Sequence, residues 1–210
     1  MVEKNRAKQA FERKSADDRR RELIEAGIAC LGKGGMAAFT IDQICKQAGI
    51  SRGLINHHFH TKHELLSCIY AEMTDHLVQD HDGLKSGDLL AQIIATSFDE
   101  ASFNRSNMRA WLAIWGQVPS NPVLSKIHTQ RYDRYKERIK TALRQASPGE
   151  TADCSNDSVA RQLIAIIDGL WLEYCLHSNS FSLAAARADC HRFLAAYGIK
   201  VEPLSPRLPE

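Results

Sequence analysis

The sequence predicts an all-α protein, with a group of three helices at the N-terminus followed by a larger helical part. Apolar residues recur every three or four positions along most of the 210 residues, and no stretch alternates apolar and polar side chains as a β-strand does. Ser, Thr and Asn precede several apolar runs, where they can cap helices, and Gly or Pro follows them. We call residues 15–60 the head and residues 61–198 the body.

Composition limits the class of protein. Hydrophobic residues make up 44% of the chain, as in ordinary globular proteins, and no apolar run is long enough to span a bilayer. The N-terminus lacks an apolar signal segment, so we expect a cytoplasmic protein. Residues 1–14 and 199–210 are polar or rich in proline, which predicts a disordered arm and a disordered tail. The six cysteines include no CxxC pair and are expected to be free thiols.

Charge is distributed unevenly along the chain. The formal net charge is +2, yet residues 1–65 carry 12 Lys and Arg against 8 Asp and Glu. Residues 1–65, which include the head, are therefore basic and the remainder is slightly acidic. This distribution suits a protein whose head contacts phosphate and whose body does not.

The first head helix has a clear beginning and a clear end. Ser15 and Asp18 have the spacing of a capping box, and the apolar residues that follow recur at helical intervals. Gly32, Gly34 and Gly35 are expected to end this helix.

The stretch from Thr40 to His60 predicts a helix-turn-helix. Thr40 and Gln43 form a capping box that opens a short helix, and Gly49 can adopt the positive φ that ends it. Ser51 then caps a second helix over about residues 52–58. Two short helices joined by a tight glycine turn are typical of domains that place the second helix in the major groove of double-stranded DNA.

Candidates for contact with DNA cluster around this second helix. Arg52, Asn56 and His57 lie on the helix and are expected to meet bases or phosphates. Thr40, Ser51 and Lys62 stand at helix N-termini, where backbone N–H groups favour an anion. They are therefore expected to contact the DNA backbone.

The stretch from Thr40 to Leu66 resembles the DNA-binding motif of the TetR family of one-component repressors. The matching residues, in unbroken register, are Thr40, Ile41, Ile44, Ala48, Gly49, Ser51, Gly53, Ile55, His57, Phe59, Lys62, Leu65 and Leu66. In that family a Tyr that touches a phosphate usually precedes the Phe. His58 stands at this position here, which leaves open how or whether it contacts DNA.

The body reads as a series of helices, the first of which links head to body. Predicted helices cover Thr61 to about Asp80, Asp88–Phe103, Asn107–Gln117, Pro122 to about Ala146, Ser155 to about His177, and Ser182 to about Tyr197, with a loop over Asp82–Gly87. Asn121 and Pro122 form a typical helix start, with the cap before the proline.

The last two helices present more apolar surface than one buried face requires. The residues concerned are Leu163, Ile166, Ile167, Leu170, Leu172, Leu176, Ala184–Ala186, Phe193 and Leu194. Two such helices meeting their symmetry mates would form a four-helix interface, so we expect a homodimer. Paired heads would read half-sites about 34 Å apart, or a multiple of that distance.

Aromatic and acidic residues in the body suggest a ligand. Trp111 and Trp115 share one helix face, Asp168 and Trp171 share another, and Phe98 and Asp99 lie on a preceding helix. Ring faces beside a carboxylate suit a quaternary ammonium cation, which cannot donate a hydrogen bond. The alternative from spacing alone is that the tryptophans are ordinary core residues.

The body also resembles the choline-responsive repressors of the TetR family, which control glycine betaine synthesis. The similar segments are residues 98–100, 108–115 and 166–178. The resemblance implies that choline binds among Trp111, Trp115, Trp171, Asp168, Phe98 and Asp99. A cationic drug or an acyl compound is the alternative ligand, and the sign of the effect on DNA binding stays open.

Enzyme classes are disfavoured. His57, His58, His60 and His63 form a histidine group that lies inside the DNA-reading motif and lacks compact carboxylate or thiolate partners, so we predict no metal site. The sequence contains no phosphate loop, nucleophilic triad or dinucleotide motif, and we predict no catalytic residue and no cofactor. A helical metal-binding enzyme and a DNA-packing protein without an effector are the remaining alternatives.

Overall fold

The computed structural model describes residues 15–75, 88–100, 103–146, 155–177 and 179–201, and these are almost entirely helical. The described helices are α1 Ala16–Ala38, α2 Ile41–Ala48, α3 Arg52–His58, α4 Lys62–Met73, α5 Asp88–Ser97, α6 Arg105–Trp115, α7 Pro122–Ala146, α8 Asn156–His177 and α9 Leu183–Ala196, with a 3-10 turn over Val118–Ser120. The all-α prediction, with an N-terminal helix-turn-helix and a helical C-terminal domain, is confirmed. None of the described helices is long and apolar enough to cross a membrane.

The helix starts of the head follow the local sequence signals, with one exception. Ser15 and Asp18 form both halves of the capping box. The Thr40 hydroxyl accepts the Gln43 N–H at 3.3 Å, but the Thr40 N–H donates to the Ala38 carbonyl, so only the first half of the predicted Thr40–Gln43 box forms. Gly49 ends α2 with φ 68°. Ser51 occupies the N-cap position of α3, but its side chain accepts no capping hydrogen bond, so the predicted cap at Ser51 is wrong.

The glycines near the end of α1 bend the helix and do not end it. Gly34 and Gly35 have non-helical torsions, with φ of −149° and 61°, and helical structure resumes up to Ala38. The predicted interruption is therefore present, while one further turn follows it. Gly35 is needed there because side chains other than hydrogen strain a positive φ.

The helix α4 begins as predicted. Thr61 accepts the Glu64 N–H at 3.0 Å, and the Glu64 carboxylate reaches back to the His60 N–H at 2.9 Å. The helix ends at Met73, where the Thr74 hydroxyl donates to the Tyr70 carbonyl. Its predicted continuation to Asp80 and the predicted loop over Asp82–Gly87 fall mostly or wholly outside the described residues, as do the predicted arm 1–14 and most of the predicted tail.

Two predicted helices in the body have wrong boundaries, and α6 also ends at Trp115, before the predicted Gln117. The helix α5 ends at Ser97 and not at Phe103, and distant side chains bind the carbonyl groups of Ser97 and Phe98 at this end. The Trp171 indole donates to the Ser97 carbonyl at 2.9 Å, and Arg187 donates to the Phe98 carbonyl at 2.5 Å. The helix α6 starts two residues early, at Arg105, because Asn104 caps it by accepting the Asn107 N–H at 3.0 Å.

The remaining body helices start where the sequence predicts. Asn121 accepts the N–H groups of Val123 and Leu124, and Pro122 takes the first helical position of α7. Ser155 and Ser182 cap α8 and α9 through their hydroxyl groups. These caps join residues only two or three positions apart, so sequence is sufficient to locate them.

Two hydrophobic cores organise the described chain, and α6 contributes to both. Ala110 and Ile114 belong to the core of the head helices, which also draws Leu124 from α7. Met108 and Trp111 belong to the core of the body. The first core thus extends across the predicted division at residue 60, and α6 connects the two cores through opposite faces.

A close helix approach holds α6 against α1. A Cβ atom added at Gly32 would lie 2.0 Å from the Ser106 Oγ and 2.7 Å from the Ser106 carbonyl oxygen. Only glycine permits the two backbones to come this near. The head therefore packs directly on the body through α1 and α6 as well as through the linking helix α4.

Candidate functional site

The first candidate site is the exposed face of α3. Ile55 is buried and anchors the helix in the head core, while Arg52, Asn56 and His57 are exposed on its other side. Helix α2 is fixed beside it by the buried Ile44. The arrangement presents the three polar side chains without obstruction from the head itself, as a helix that enters a DNA groove requires.

The other predicted DNA contacts lie at helix N-termini, apart from His58 at the end of α3. Thr40, Ser51 and Lys62 are exposed at the N-termini of α2, α3 and α4. The Lys62 ammonium lies 6.0 Å from the centre of the Phe39 ring. His58 is half-buried, with its ring edge-on to His57 at 5.2 Å between centroids. Thr40, Ser51 and Lys62 are thus accessible to DNA at helix N-termini, whereas His58 is only partly accessible.

Arg52 is held by a partner that the sequence did not predict. Its Nε and Nη2 atoms contact the two carboxylate oxygens of Asp42, which lies on α2. Both side chains remain mostly exposed, at 70% for Arg52 and 64% for Asp42. The pair links the two helices of the helix-turn-helix on its outer surface.

Arg20 holds the C-terminal end of α3, and the sequence analysis did not predict this role. Its guanidinium donates to the His58 carbonyl at 3.1 Å and to the Cys68 sulfur at 3.0 Å, and it lies 4.3 Å from the centre of the Phe59 ring. These contacts tie α1 to the end of α3 and to α4. No sequence signal indicates them, since the partners are 38 and 48 residues away.

The second candidate site is a cavity of about 350 Å³ where the head meets the body. Its lining is apolar and aromatic with a few polar groups, as in typical ligand sites. The lining residues are Ile28, Glu72, Met73, Asp75, Thr96, Ser97, Phe103, Asn107, Met108, Trp111 and Trp171. A ligand here would contact α1, α4, α5, α6 and α8 at once.

The three tryptophans form one cluster beside this cavity. The ring centroids of Trp111 and Trp115 are 3.7 Å apart, and Trp111 meets Trp171 edge-to-face at 4.9 Å. Trp111 and Trp171 are each only 4% exposed. Both side chains therefore line the cavity while being almost completely packed in the core.

The predicted ligand residues divide into two groups. Trp111 and Trp171 line the cavity, whereas Trp115, Asp168, Phe98 and Asp99 are absent from its lining. Phe98 is fully buried against Phe103, and Asp99 is exposed. The sequence did not indicate the two carboxylates that do line the cavity, Glu72 and Asp75, because they lie on or just beyond the linking helix.

Asp168 lies in a second layer behind the tryptophans. Its carboxylate accepts the Tyr132 hydroxyl at 3.2 Å, and the Tyr132 ring is 6.3 Å from Trp115. Burial raises the pKa of Asp168 to about 7, and the hydrogen bond from Tyr132 only partly opposes this effect. Burial, followed by the Asp168 charge, also raises the pKa of Tyr132 above its ordinary value.

A histidine and two tyrosines extend this layer towards the head. The Tyr70 hydroxyl lies 2.7 Å from Nδ1 of His128, and the His128 ring packs on Tyr132 at 4.2 Å between centroids. Burial lowers the pKa of His128, which favours the neutral ring as an acceptor. Burial also raises the pKa of Tyr70 to about 12, although the nearby Trp115 indole opposes this without reaching hydrogen-bond geometry.

The raised pKa of Asp168 predicts that stability falls as pH rises from about 4 to 7. In this window the folded chain keeps a proton that the unfolded chain has released, so each step to higher pH favours unfolding. We expect a loss of about 2 kcal/mol over this window, a discounted figure because the Asp168 side chain keeps some contact with solvent. Asp168→Asn should therefore gain stability relative to the unmodified protein as pH rises from 4.5 to 8, measured by urea unfolding. If the difference in stability between the two proteins does not change with pH, the raised pKa of Asp168 is contradicted.

Exposed apolar residues mark one face of the last two helices. On α8, Leu172 is 44% and Leu176 63% exposed, and Ala165 and Gly169 continue the same stripe. Ala184 and Ala185 are exposed on α9. Other residues expected at this interface, Leu163, Ile167, Ala186 and Leu194, are buried in the chain's own core.

The histidine group of the head shows no metal-binding geometry. Among the described residues, no three or more His, Cys, Asp or Glu side chains are grouped so that they could hold a metal ion.

Two family models match the chain. Residues 23–68 match the model of bacterial regulatory proteins of the tetR family, and residues 87–198 match the model of the BetI-type transcriptional repressor C-terminal domain. The HTH-type transcriptional regulator BetI of Serratia proteamaculans (strain 568) is 31% identical over 180 residues, which cover 81% of this chain and 87% of that protein. BetI of Escherichia coli (strain K12 / DH10B) is 30% identical over 186 residues, covering 85% and 93%.

Solved structures share the fold. A transcriptional regulator from Pseudomonas aeruginosa PAO1 superposes with a TM-score of 0.76 at 31% identity, covering 90% of this chain and 94% of that one. A transcriptional regulator from Saccharomonospora viridis in complex with choline gives a TM-score of 0.70 at 20% identity, covering 85% and 96%. At 20% identity the latter likeness concerns the fold alone.

Proposed function

The chain belongs to the TetR family of bacterial regulatory proteins and carries a BetI-type C-terminal domain, and we propose that choline or a closely related quaternary ammonium cation controls its binding to an operator. It is a transcriptional repressor and not an enzyme. The observation that carries the ligand proposal is the cavity walled by Trp111 and Trp171, with the carboxylates Glu72 and Asp75 on the side of the linking helix.

The wall of the cavity suits a cation that donates no hydrogen bond. Ring faces attract such a cation with about 0.5–2 kcal/mol each, the larger figure applying where water is excluded. Asp75 is paired with Arg131 at 2.8 Å, which offsets its charge, while Glu72 is exposed at the wall. The choline complex of the S. viridis regulator supports this ligand class by analogy of fold.

A ligand in the cavity can act on α3, the helix that we propose reads DNA, through the helices that line the cavity. Ile28 lies on the head helix α1, Met73 on the linking helix α4 and Trp111 on the body helix α6, so one ligand contacts all three. A ligand shifts an equilibrium only when it binds one arrangement better than another. We propose that the cation favours one tilt of α4 and α1 against α6, and thereby one separation of the two reading helices.

The operator-binding residues in this proposal are Arg52, Asn56, His57 and His58 on α3, with Thr40, Ser51 and Lys62 at the DNA backbone. The exposure of all of these side chains except the half-buried His58 supports the assignment. The exposed stripe Ala165–Gly169–Leu172–Leu176 supports a homodimer, whose two heads would read two half-sites.

Two measurements test the proposal. Tryptophan fluorescence should change saturably with choline and with tetramethylammonium, but not with 3,3-dimethylbutan-1-ol, in which carbon replaces the charged nitrogen. Duplexes selected by the protein from a randomised pool should contain two related half-sites, and choline should alter their affinity. Equal responses to the alcohol, or a response only to fatty acids, would point to an apolar or acyl effector.

Lys62→Ala should weaken binding to all duplexes alike. Each lost phosphate contact should reduce the slope of log K against log salt by about 0.9 for each half-site. Fluorescence anisotropy with the selected duplex and a scrambled one, between 50 and 300 mM salt, measures the slope. Lys126→Ala is the matched control, because it removes the same charge from an exposed position on α7. A slope that is unchanged by Lys62→Ala would remove Lys62 from the interface.

A further inference from the structure

The geometry of the Arg52–Asp42 pair leaves one edge of the guanidinium open. Asp42 takes the side edge, where Nε contacts Oδ1 and Nη2 contacts Oδ2. Arginine has five N–H groups, and this side-on arrangement uses two of them. The end edge, formed by Nη1 and the second N–H of Nη2, makes no hydrogen bond within the described part of the chain, and the side chain is 70% exposed.

The pair is also fixed relative to the reading helix. Arg52 is the first residue of α3, and Asp42 lies in the first turn of α2, where a negative charge is favourable. The buried Ile44 and Ile55 and the Gly49 turn set the distance between the two helices. An otherwise flexible arginine side chain is thereby held in one direction before any DNA is present.

We propose that Asp42 is a positioning residue for base recognition, which holds Arg52 so that its open edge meets a guanine. Guanine offers two acceptors, O6 and N7, on its major-groove edge, and their spacing matches an arginine fork. Because the side chain is oriented in advance, less freedom is lost on binding. The Asp42 carboxylate also repels phosphates, which disfavours contacts of Arg52 with the DNA backbone. This inference rests on the proposed role of α3 as the reading helix.

The test compares base preference with overall affinity. Duplexes are first selected by the unmodified protein from a randomised pool. Each base pair of the selected sequence is then replaced in turn, and the affinity for each duplex is measured by fluorescence anisotropy. We expect one guanine in each half-site to be preferred about 10-fold or more over other bases, and Arg52→Ala to abolish that preference. Asp42→Asn should reduce the preference at the same position at least threefold, while affinity for a scrambled duplex rises by a similar factor.

Two controls separate positioning from a general change of charge. Asp17→Asn changes the net charge by the same amount at an exposed position on α1. It should leave the guanine preference unchanged. In an Arg52→Ala background, Asp42→Asn should no longer affect base preference. A guanine preference that survives Asp42→Asn intact would overturn the positioning role alone. Selection of no common sequence by the unmodified protein would overturn the reading-helix assignment together with it.

Discussion

Replacing Trp111 with leucine is expected to weaken choline binding about 30-fold, as measured by fluorescence or calorimetric titration. Leucine keeps an apolar side chain in the core but removes the ring face that walls the cavity. A cation–π contact away from water contributes about 2 kcal/mol, which corresponds to that factor. Operator binding in the absence of choline should persist, because Trp111 lies in the body core and not in the head core.

The matched control for this prediction is Trp115→Leu. It makes the same chemical change one helical turn further along α6, at a residue that does not line the cavity. Choline affinity should then change less than threefold. If both variants bind choline as the unmodified protein does, the cation binds elsewhere. If only Trp115→Leu loses binding, the site lies instead near Tyr132 and Asp168, on the other side of the tryptophan cluster.

Gly32→Ala is expected to destabilise the protein by about 2–3 kcal/mol, measured by urea unfolding. The new methyl group would lie 2.7 Å from the Ser106 carbonyl oxygen and 2.0 Å from its hydroxyl oxygen, so α1 and α6 must separate. Overpacking of this kind costs about 1–3 kcal/mol, and it outweighs the better helix propensity of alanine. Because the same two helices connect head and body, operator affinity should fall as well.

Gly116→Ala is the control, since Gly116 ends α6 with an ordinary negative φ of −60°. Its added Cβ would lie 3.6 Å or more from the nearest atoms, which is normal contact distance. Stability should therefore change by no more than about 0.5 kcal/mol. A Gly32→Ala variant as stable as this control would show that α1 and α6 can move apart at little cost. Direct packing of α1 on α6 would then not carry the effect of the ligand to α3.

Local interactions explain why most helix starts followed from the sequence. The caps at Ser15, Thr40, Asn121 and Ser182 each join a side chain to a backbone N–H group two or three residues away. The end of α5 could not be predicted in this way. The carbonyl groups of Ser97 and Phe98 at this end are bound by Trp171 and Arg187, which lie 74 and 89 residues further along the chain.

The same distinction applies to the candidate sites. Helical spacing identified the exposed residues of α3 and placed Trp111 and Trp115 on one face of a helix. It did not reveal that Asp42 holds Arg52, that Arg20 supports α3, or that Glu72 and Asp75 line the cavity.

The sequence by itself therefore determined the helical class, the helix-turn-helix and the residue types suited to a cationic ligand. Only the tertiary structure decided which of those residues surround the cavity, and it placed Asp168 behind the tryptophans and Phe98 in the core. The physical reason is that helical periodicity specifies which side chains share a face. Which faces meet depends on close packing between distant segments, such as the approach of α1 to α6 at Gly32.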